Sequence, residues 1–208
     1  MSSLIKPRPP QTKVKHTILK EYLSSWGGII LNGLRSLALE QVKRGQSLSV
    51  QFIFVDCNTS FGRYNGELEQ QAKGESSSTI FGSSIIGISV LNDLLPMAKK
   101  YSIDLIINAV LLEKEVAEFQ ELKTSLNLAG LTSRVVETDQ FQQLKPSQIA
   151  IWRCESQKVL LQLKQYTQGP GYKFAFYFID PYGPKAIPLF FVNSIIHARH
   201  HDAIIYMP

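Results

Sequence analysis

The sequence lacks any apolar segment long enough to cross a membrane, and it has almost no cysteine. No run approaches the ~18 uninterrupted apolar residues that a transmembrane helix needs, and residues 1–5 are not followed by the apolar core of a secretory signal. The two cysteines, Cys57 and Cys154, lie far apart and belong to no CxxC or Cys/His cluster. Reduced thiols are therefore expected, and a zinc site lacks its ligands. We expect a soluble, cytoplasmic protein with no bound metal and no membrane partner.

Strong net charge is also missing. The 208 residues carry a formal net charge of +5, which permits an acidic partner such as nucleic acid but does not require one. With 44% hydrophobic residues, a chain of this length can bury one substantial core. Residues 1–12 contain three prolines among polar residues and predict a flexible lead-in, so we expect a single α/β domain over residues 13–208.

The hydrophobic pattern alternates between strand-like and helix-like segments along the chain. This alternation predicts a Rossmann-like, doubly wound, mostly parallel sheet of about five strands with helices on both faces. The chain stops at the tip of the fifth predicted strand, so the sheet is either minimal or part of a larger one. The predicted strands are residues 48–55, 103–112, 134–137, 174–179 and 202–207, and the predicted helices are residues 13–39, 83–96, 116–126, 157–166 and 187–197.

Three local signals refine this assignment. Gly27 and Gly28 interrupt the first helical pattern and predict two helices or one kinked helix. Residues 65–79 are polar and rich in Gly and Ser, which is typical of a flexible surface loop. The next helix has Ser83 or Ser84 as its expected N-cap, and Pro96 should kink or shorten it.

One apolar run ends abruptly in Asp180, Pro181 and Tyr182. A run without polar alternation indicates a strand buried on both faces, and ligands of parallel sheets bind beyond the carboxyl ends of such strands. A carboxylate, a rigid proline and an aromatic ring at that edge could hold a flat substrate and its amine. The alternative is a turn that only ends the strand, with Asp180 capping the next helix.

Acidic residues stand at or just after four predicted strand ends, namely Asp56, Glu113, Asp139 and Asp180. In dinucleotide-type folds such an acid accepts hydrogen bonds from ribose hydroxyls, a role that suits Glu113. Taken alone, Glu113 is better explained as a solvated acid at a helix N-terminus, where the helix macrodipole favours it.

The loop over residues 56–64 lacks the G-x-G-x-x-G fingerprint of dinucleotide-binding proteins. Gly62 is its only glycine, although Asn58 and Ser60 are small enough to lie against a ligand. Both a nucleoside loop and a plain polar connection remain open. Lys15, His16 and Arg63 are candidate contacts to a substrate or nucleic acid, while a lone histidine on a helix is more often ordinary packing.

The order of these segments resembles the three-Cys-motif partner protein (TcmP) family over nearly the whole chain. Family members are similar to class I S-adenosylmethionine-dependent methyltransferases. The segments that carry the resemblance are residues 15–19 (KHTIL), 22–23 and 26, then 54–56 (FVD), 62–64 (GRY), 82–84 (GSS), 113–114 (EK) and 178–183 (FIDPYG).

The resemblance implies a role for each candidate residue. Asp56, Asn58, Ser60 and Gly62 would form the S-adenosylmethionine loop, and Glu113 would bind the ribose. The residue near the adenine would be Asp139. The catalytic face would comprise Asp180, Pro181 and Tyr182, which is similar to the Asp/Asn-Pro-Pro-Tyr motif of amino-methyltransferases.

Three functions follow from these observations. The first is S-adenosylmethionine-dependent methyl transfer, with a nucleic-acid amine as the candidate acceptor. The second is a cofactor-free, methyltransferase-like module that serves as a nucleic-acid-binding subunit or as the partner of a protein encoded nearby. It is favoured because Cys57 and Ser60 replace two glycines of the family pattern Asp-Gly-Phe-Ala-Gly-Pro-Gly. The third, less favoured, is a metal-dependent nuclease using Asp56, Asp139 and Asp180.

Overall fold

The computed structural model describes residues 5, 7–65, 79–180 and 189–206. Helices and strands alternate along this part of the chain. The helices are α1 (Pro10–Lys43), α2 (Ser83–Asn92), α3 (Leu95–Lys100), α4 (Val116–Leu128), α5 (Leu160–Thr167) and α6 (Leu189–Ile196). The strands are β1 (Leu48–Asp56), β2 (Arg63–Asn65), β3 (Thr79–Phe81), β4 (Ile103–Leu112), β5 (Val135–Glu137), β6 (Ile149–Trp152), β7 (Tyr172–Ile179) and β8 (His201–Ile205).

Six of the strands form one parallel sheet in the order β5-β6-β4-β1-β7-β8. In the centre, Phe54 of β1 lies opposite Ala109 of β4 on one side and Phe176 of β7 on the other. The predicted α/β sheet is therefore confirmed, with six strands where about five were expected. The strand that the sequence pattern missed is β6, whose four residues are too few to show a period. Strands β2 and β3 form a separate antiparallel pair.

Helices cover both faces of the sheet. Successive residues of the central strands point to opposite sides, and the apolar side chains on both faces are buried by these helices. Phe52 and Phe54 of β1 belong to the core beneath α1, α2 and α4. Ile53 and Val55 belong to a second core beneath α5 and α6. The doubly wound arrangement thus explains why β1, β4 and β7 are apolar without alternation.

Helix α1 is continuous from Pro10 to Lys43, so the predicted division into two helices at the glycine pair is wrong. A Cβ atom on Gly27 would collide with the Leu94 side chain and lie 3.3 Å from the Phe52 ring. Gly27 therefore lets α1 pack closely against the sheet, and the neighbouring Trp26 ring lies 5.0 Å from the Phe52 ring. The sequence shows the glycine but not the surface against which it packs.

Helix α1 also begins earlier than expected, at Pro10, which suits a first helical turn because proline has no N–H to leave unpaired. Pro7 makes an isolated parallel β-bridge to Asn65. The flexibility expected of residues 1–12 remains a prediction. Of the predicted loop at residues 65–79, residues 66–78 lie outside the described part of the chain.

The expected serine N-cap of α2 is wrong. The N-cap is Gly82, and no side chain caps the helix. The Ser83 hydroxyl donates instead to the Asp56 carboxylate. The effect of Pro96 is confirmed, because α2 ends at Asn92 and Pro96 lies in the first turn of the separate helix α3.

Within the described residues, no helix is both long and apolar enough to span a bilayer.

Substitution of two helical glycines tests how closely the helices pack on this sheet. A Cβ atom on Gly87 of α2 would lie less than 3.0 Å from three atoms of the buried Phe54 ring, whereas one on Gly28 of α1 would have nothing within 4 Å. We expect Gly87→Ala to lower the free energy of unfolding by about 1–3 kcal/mol through overpacking. The matched Gly28→Ala change should raise it by about 0.5–1 kcal/mol, because alanine has the higher helix propensity. Urea denaturation measures both, and a destabilisation of equal size in the two variants would contradict this packing.

Candidate functional site at the sheet switch point

The chain reverses its direction of travel across the sheet between β1 and β7. From β1 it builds β4, β5 and β6 to one side, and it then returns to place β7 and β8 on the other. Ligands of open α/β sheets bind at such a switch point, beyond the carboxyl ends of the strands. Asp56 is the last residue of β1, and Asp180 directly follows β7.

A cavity of about 210 Å³ opens at this point on the α1 face of the sheet. Five of the predicted site residues come together around it, contributed by α1, by the loop after β1 and by the end of β7. The lining residues are Thr12, Lys15, His16, Asn58, Thr59, Ser60, Tyr64, Ser83, Phe178 and Asp180.

An ion pair lies in the wall of the cavity. The Lys15 ammonium is 2.6 Å from Oδ1 of Asp180, and the two side chains are 26% and 27% exposed. Tyr206, which sequence reasoning did not single out, supports the pair: the Lys15 ammonium lies 5.1 Å from the centre of its ring, and its hydroxyl donates to the Lys15 carbonyl oxygen at 3.1 Å. Burial and the nearby Asp180 carboxylate raise the pKa of Tyr206.

His16 lies one residue further along α1 and is only 4% exposed. Its ring centre is 5.7 Å from that of Tyr64, with the planes tilted by 57°. Both rings contribute to the cavity wall. His16 is therefore part of the site, packed against an aromatic neighbour.

Asp56 lies beneath the cavity and is completely buried. Its carboxylate accepts a hydrogen bond from the Ser83 hydroxyl at 2.7 Å and one from the Asn58 amide at 3.2 Å. Burial raises the pKa of Asp56 to about 7, the charges of Asp180 and Glu113 act in the same direction, and the two hydrogen bonds oppose them. The Asp56–Ser83 contact was not expected from the sequence.

Glu113 is almost as deeply buried, at 3% exposed. Its Oε2 accepts the Ser60 amide at 2.7 Å, and its Oε1 accepts the Glu115 amide at 2.9 Å. Burial raises the pKa of Glu113 although these bonds oppose the shift. The Thr59 amide and hydroxyl also donate to the Leu112 carbonyl, at 3.1 and 2.9 Å. These contacts fasten the loop after β1 to the end of β4.

The same loop holds two residues in the left-handed region of backbone conformation. Ser60 has φ 54° at a position where the family pattern has glycine, and Gly62 has φ 69°. A Cβ atom on Gly62 would lie 3.0 Å from the Leu122 side chain and 3.1 Å from that of Ser125. Gly62 is therefore required by the close approach of α4, and it does not line the cavity.

Other predicted site residues lie elsewhere. Arg63 pairs with Glu121 of α4 at 3.0 Å. Asp139 follows β5, which is separated from β4 by β6. Neither Arg63 nor Asp139 lines the cavity. The predicted catalytic residues Pro181 and Tyr182 lie outside the described residues.

The arrangement does not fit S-adenosylmethionine in the way that the resemblance implies. Both oxygens of Glu113, the predicted ribose ligand, accept backbone amides, and the side chain is shielded from the cavity. The cavity volume of about 210 Å³ is also below the ~300–1,000 Å³ of typical sites for larger ligands. Ribose contact with Glu113 would require the loop after β1 to move.

The acids are not grouped for metal binding either. Among the described residues, no three His, Cys, Asp or Glu side chains are close enough to hold a metal ion. The nuclease hypothesis needs Asp139 beside Asp56 and Asp180, and the sheet order separates Asp139 from them.

Comparison of the chain with models of protein families, with curated proteins and with solved structures found no match in any of the three. The resemblance to the three-Cys-motif partner family therefore remains a prediction that rests on the sequence segments alone.

The pKa of Asp56 predicts a specific pH dependence of stability. Because this pKa is raised from 3.8 to about 7, the folded protein retains a proton between these values that the unfolded chain loses. The stability contributed by protonated Asp56 is thus fully present below the unfolded pKa and is lost as the pH rises through about 7. We expect Asp56→Asn to remove this dependence, so that its free energy of unfolding relative to wild type rises by several kcal/mol across this window.

Urea denaturation at a series of pH values measures this difference. The exposed Asp104 provides the control, since Asp104→Asn should leave the wild-type pH dependence unchanged. A difference between wild type and Asp56→Asn that stays constant with pH would show that Asp56 is ionised in the fold.

The role of Glu113 as a loop anchor is tested by Glu113→Gln. An amide side chain has one acceptor oxygen, so one of the two partly buried N–H groups loses its partner, at a cost of about 1 kcal/mol. Hydrogen exchange should become faster at the Ser60 amide. The control is Glu115→Gln, whose side chain is 58% exposed. Unchanged protection at Ser60 in Glu113→Gln would mean that other contacts hold the loop.

Proposed function

We propose that this chain is a cofactor-free, methyltransferase-like module that binds a small zwitterion, such as a free α-amino acid, at the switch point. The observation that carries the proposal is the Lys15–Asp180 ion pair in the cavity wall. Such a pair offers one positive and one negative group, side by side, to whatever enters the cavity.

A ligand with both charges matches this pair better than a ligand with one. An ammonium group that takes the place of Lys15 at Oδ1 of Asp180 leaves Lys15 in need of an anion of its own. A ligand that supplies a carboxylate a few ångströms from its ammonium satisfies both side chains. A singly charged ligand breaks the pair and leaves one partly buried charge uncompensated, which is unfavourable.

The volume and the lining of the cavity suit a ligand as small as a free amino acid. Its volume of about 210 Å³ lies below the ~300–1,000 Å³ of sites for drug-sized ligands, which suits a smaller molecule such as an amino acid. Asn58 and Ser60 line the cavity together with Tyr64 and Phe178. The polar groups can bind a carboxylate, while the rings can cover an aliphatic side chain.

Methyl transfer from S-adenosylmethionine is the second candidate function. It is favoured by the position of Asn58, Ser60 and Asp180, which the resemblance assigns to the cofactor loop and the catalytic face and which line one cavity at the switch point. When bound, the cofactor would supply the reactive methyl group. Lys15 occupies Oδ1 of Asp180, so an acceptor amine would use Oδ2 or displace Lys15.

Calorimetry separates the two candidates. The ligands are L-methionine, its analogue without the carboxylate, its analogue without the amine, S-adenosylmethionine and S-adenosylhomocysteine. We expect L-methionine to bind and each singly charged analogue to bind at least about tenfold more weakly, equivalent to ~1.4 kcal/mol. If the two adenosyl compounds bind while free amino acids do not, the methyl-transfer candidate replaces this proposal.

Substitutions of the pair add a second test. Lys15→Gln should weaken the binding of the zwitterion and of the amine-free analogue, whereas Asp180→Asn should weaken the binding of the zwitterion and of the carboxylate-free analogue. The control is Lys158→Gln, which disrupts the exposed Lys158–Glu155 pair outside the cavity. Wild-type affinity in both cavity variants would contradict the proposed site.

A further inference from the structure

A second cavity, of about 340 Å³, lies at the opposite end of the sheet, where β7 and β8 begin. It is separated from the switch point by the length of β7, about 26 Å for eight residues at ~3.3 Å per residue. The turn between α5 and β7 forms one wall, and the turn between α6 and β8 forms the other. The lining residues are Thr167, Gln168, Gly169, Pro170, Gly171, Lys173, His197, Ala198, Arg199 and His200.

The charged and titratable side chains of this wall are all basic: Lys173, Arg199, His197 and His200. None of the ten lining residues is an aspartate or glutamate. Over the part of the chain that the structure describes, none of the four basic side chains forms an ion pair. The nearby Asp202 accepts the Tyr22 hydroxyl at 2.9 Å and the Ala203 amide at 2.8 Å.

The contacts of Lys173 leave it able to bind a ligand. Its ammonium donates to the Tyr166 carbonyl at 3.1 Å and lies 5.2 Å from the centre of the Tyr166 ring. An ammonium has three donors, so this hydrogen bond leaves two for other acceptors. Burial lowers the pKa of Lys173, which means that its charge is poorly solvated where it stands.

The two turns also place basic groups close to one another. Burial and the adjacent Arg199 lower the pKa of His200. His201, just beyond it, has its pKa lowered chiefly by burial and also by the charges of His200 and Lys164. The basic groups therefore disfavour one another's charge, and an anion among them would relieve that repulsion.

We propose that this basic cavity binds the phosphate group of a small phosphorylated molecule. The Arg199 guanidinium can donate two parallel hydrogen bonds to phosphate oxygens, and the Lys173 ammonium supplies a point charge. A volume of about 340 Å³ exceeds the need of a free phosphate and falls within the range of small-molecule sites. The phosphate is therefore carried by a larger group, such as a nucleoside.

Calorimetry at low ionic strength tests this site with adenosine 5′-monophosphate, adenosine and inorganic phosphate. We expect the monophosphate to bind and adenosine to bind at least about tenfold more weakly, because adenosine lacks the charge that the cavity recognises. Added salt should weaken monophosphate binding. If inorganic phosphate binds as tightly as the monophosphate, the site recognises the free anion and the nucleoside is not part of its ligand, which overturns the proposal of a larger ligand.

Variants locate the binding. Arg199→Gln and Lys173→Gln should each weaken binding of the monophosphate by at least about tenfold. Arg199→Lys should recover part of the lost affinity, because lysine keeps the charge but lacks the paired donors. The control is Lys99→Gln, an exposed basic residue of α3 outside the cavity. Equal binding of adenosine and its monophosphate, or an equal loss in the Lys99→Gln control, overturns the proposal. Because Arg199 is exposed, its variants should fold even if those of Lys173 do not.

Discussion

The burial on all sides of the second half of β1, residues 52–56, is the constraint on which the rest of the structure depends. All nine of its residues pair with β4, seven also pair with β7, and residues 52–56 are buried throughout. The stretch of residues 52–56 has no edge and no solvated face, so every side chain within it must be apolar or hydrogen-bonded internally. Polar chemistry can begin only where the strand ends. This places Asp56, the loop after it and the cavity at one end of the sheet.

The two buried carboxylates at this end accept hydrogen bonds from the protein itself. Asp56 accepts the Ser83 hydroxyl and the Asn58 amide, while Glu113 accepts the amides of Ser60 and Glu115. Unpaired N–H groups and carboxylates are costly in a buried setting, and these four bonds satisfy them together. The loop is consequently held against the strand ends, which leaves a small polar cavity above it and not an open groove.

Charge is distributed differently at the two ends of the sheet. At the carboxyl end, the Lys15 ammonium and the Asp180 carboxylate balance one another within hydrogen-bonding distance. At the opposite end, Lys173 and Arg199 face a cavity whose lining contains no acid. A neutral pair and an excess of positive charge select different ligands, so one small α/β fold presents two chemically distinct surfaces on the described part of the chain.

The sequence alone determined the central strands and the presence of acids at their ends. The patterns of β1, β4 and β7 are continuous apolar runs, and such runs are compatible only with strands covered on both faces. Asp56, Glu113 and Asp180 could be placed at one edge because parallel strands end on the same side. By contrast, the four residues of β6 carry no readable period, and their position between β4 and β5 is a property of the sheet.

Tertiary structure decided which polar groups meet. Lys15 and Asp180 are 165 residues apart, and only the docking of α1 over the end of β7 brings them together. Gly27 looked like a helix breaker, but contact with Leu94 makes it a packing residue within a continuous helix. Glu113 looked like a ribose ligand, but the folded loop gives both its oxygens to backbone amides. Local patterns encode burial and direction along the chain, whereas hydrogen-bond partners depend on distances that arise only when distant segments pack.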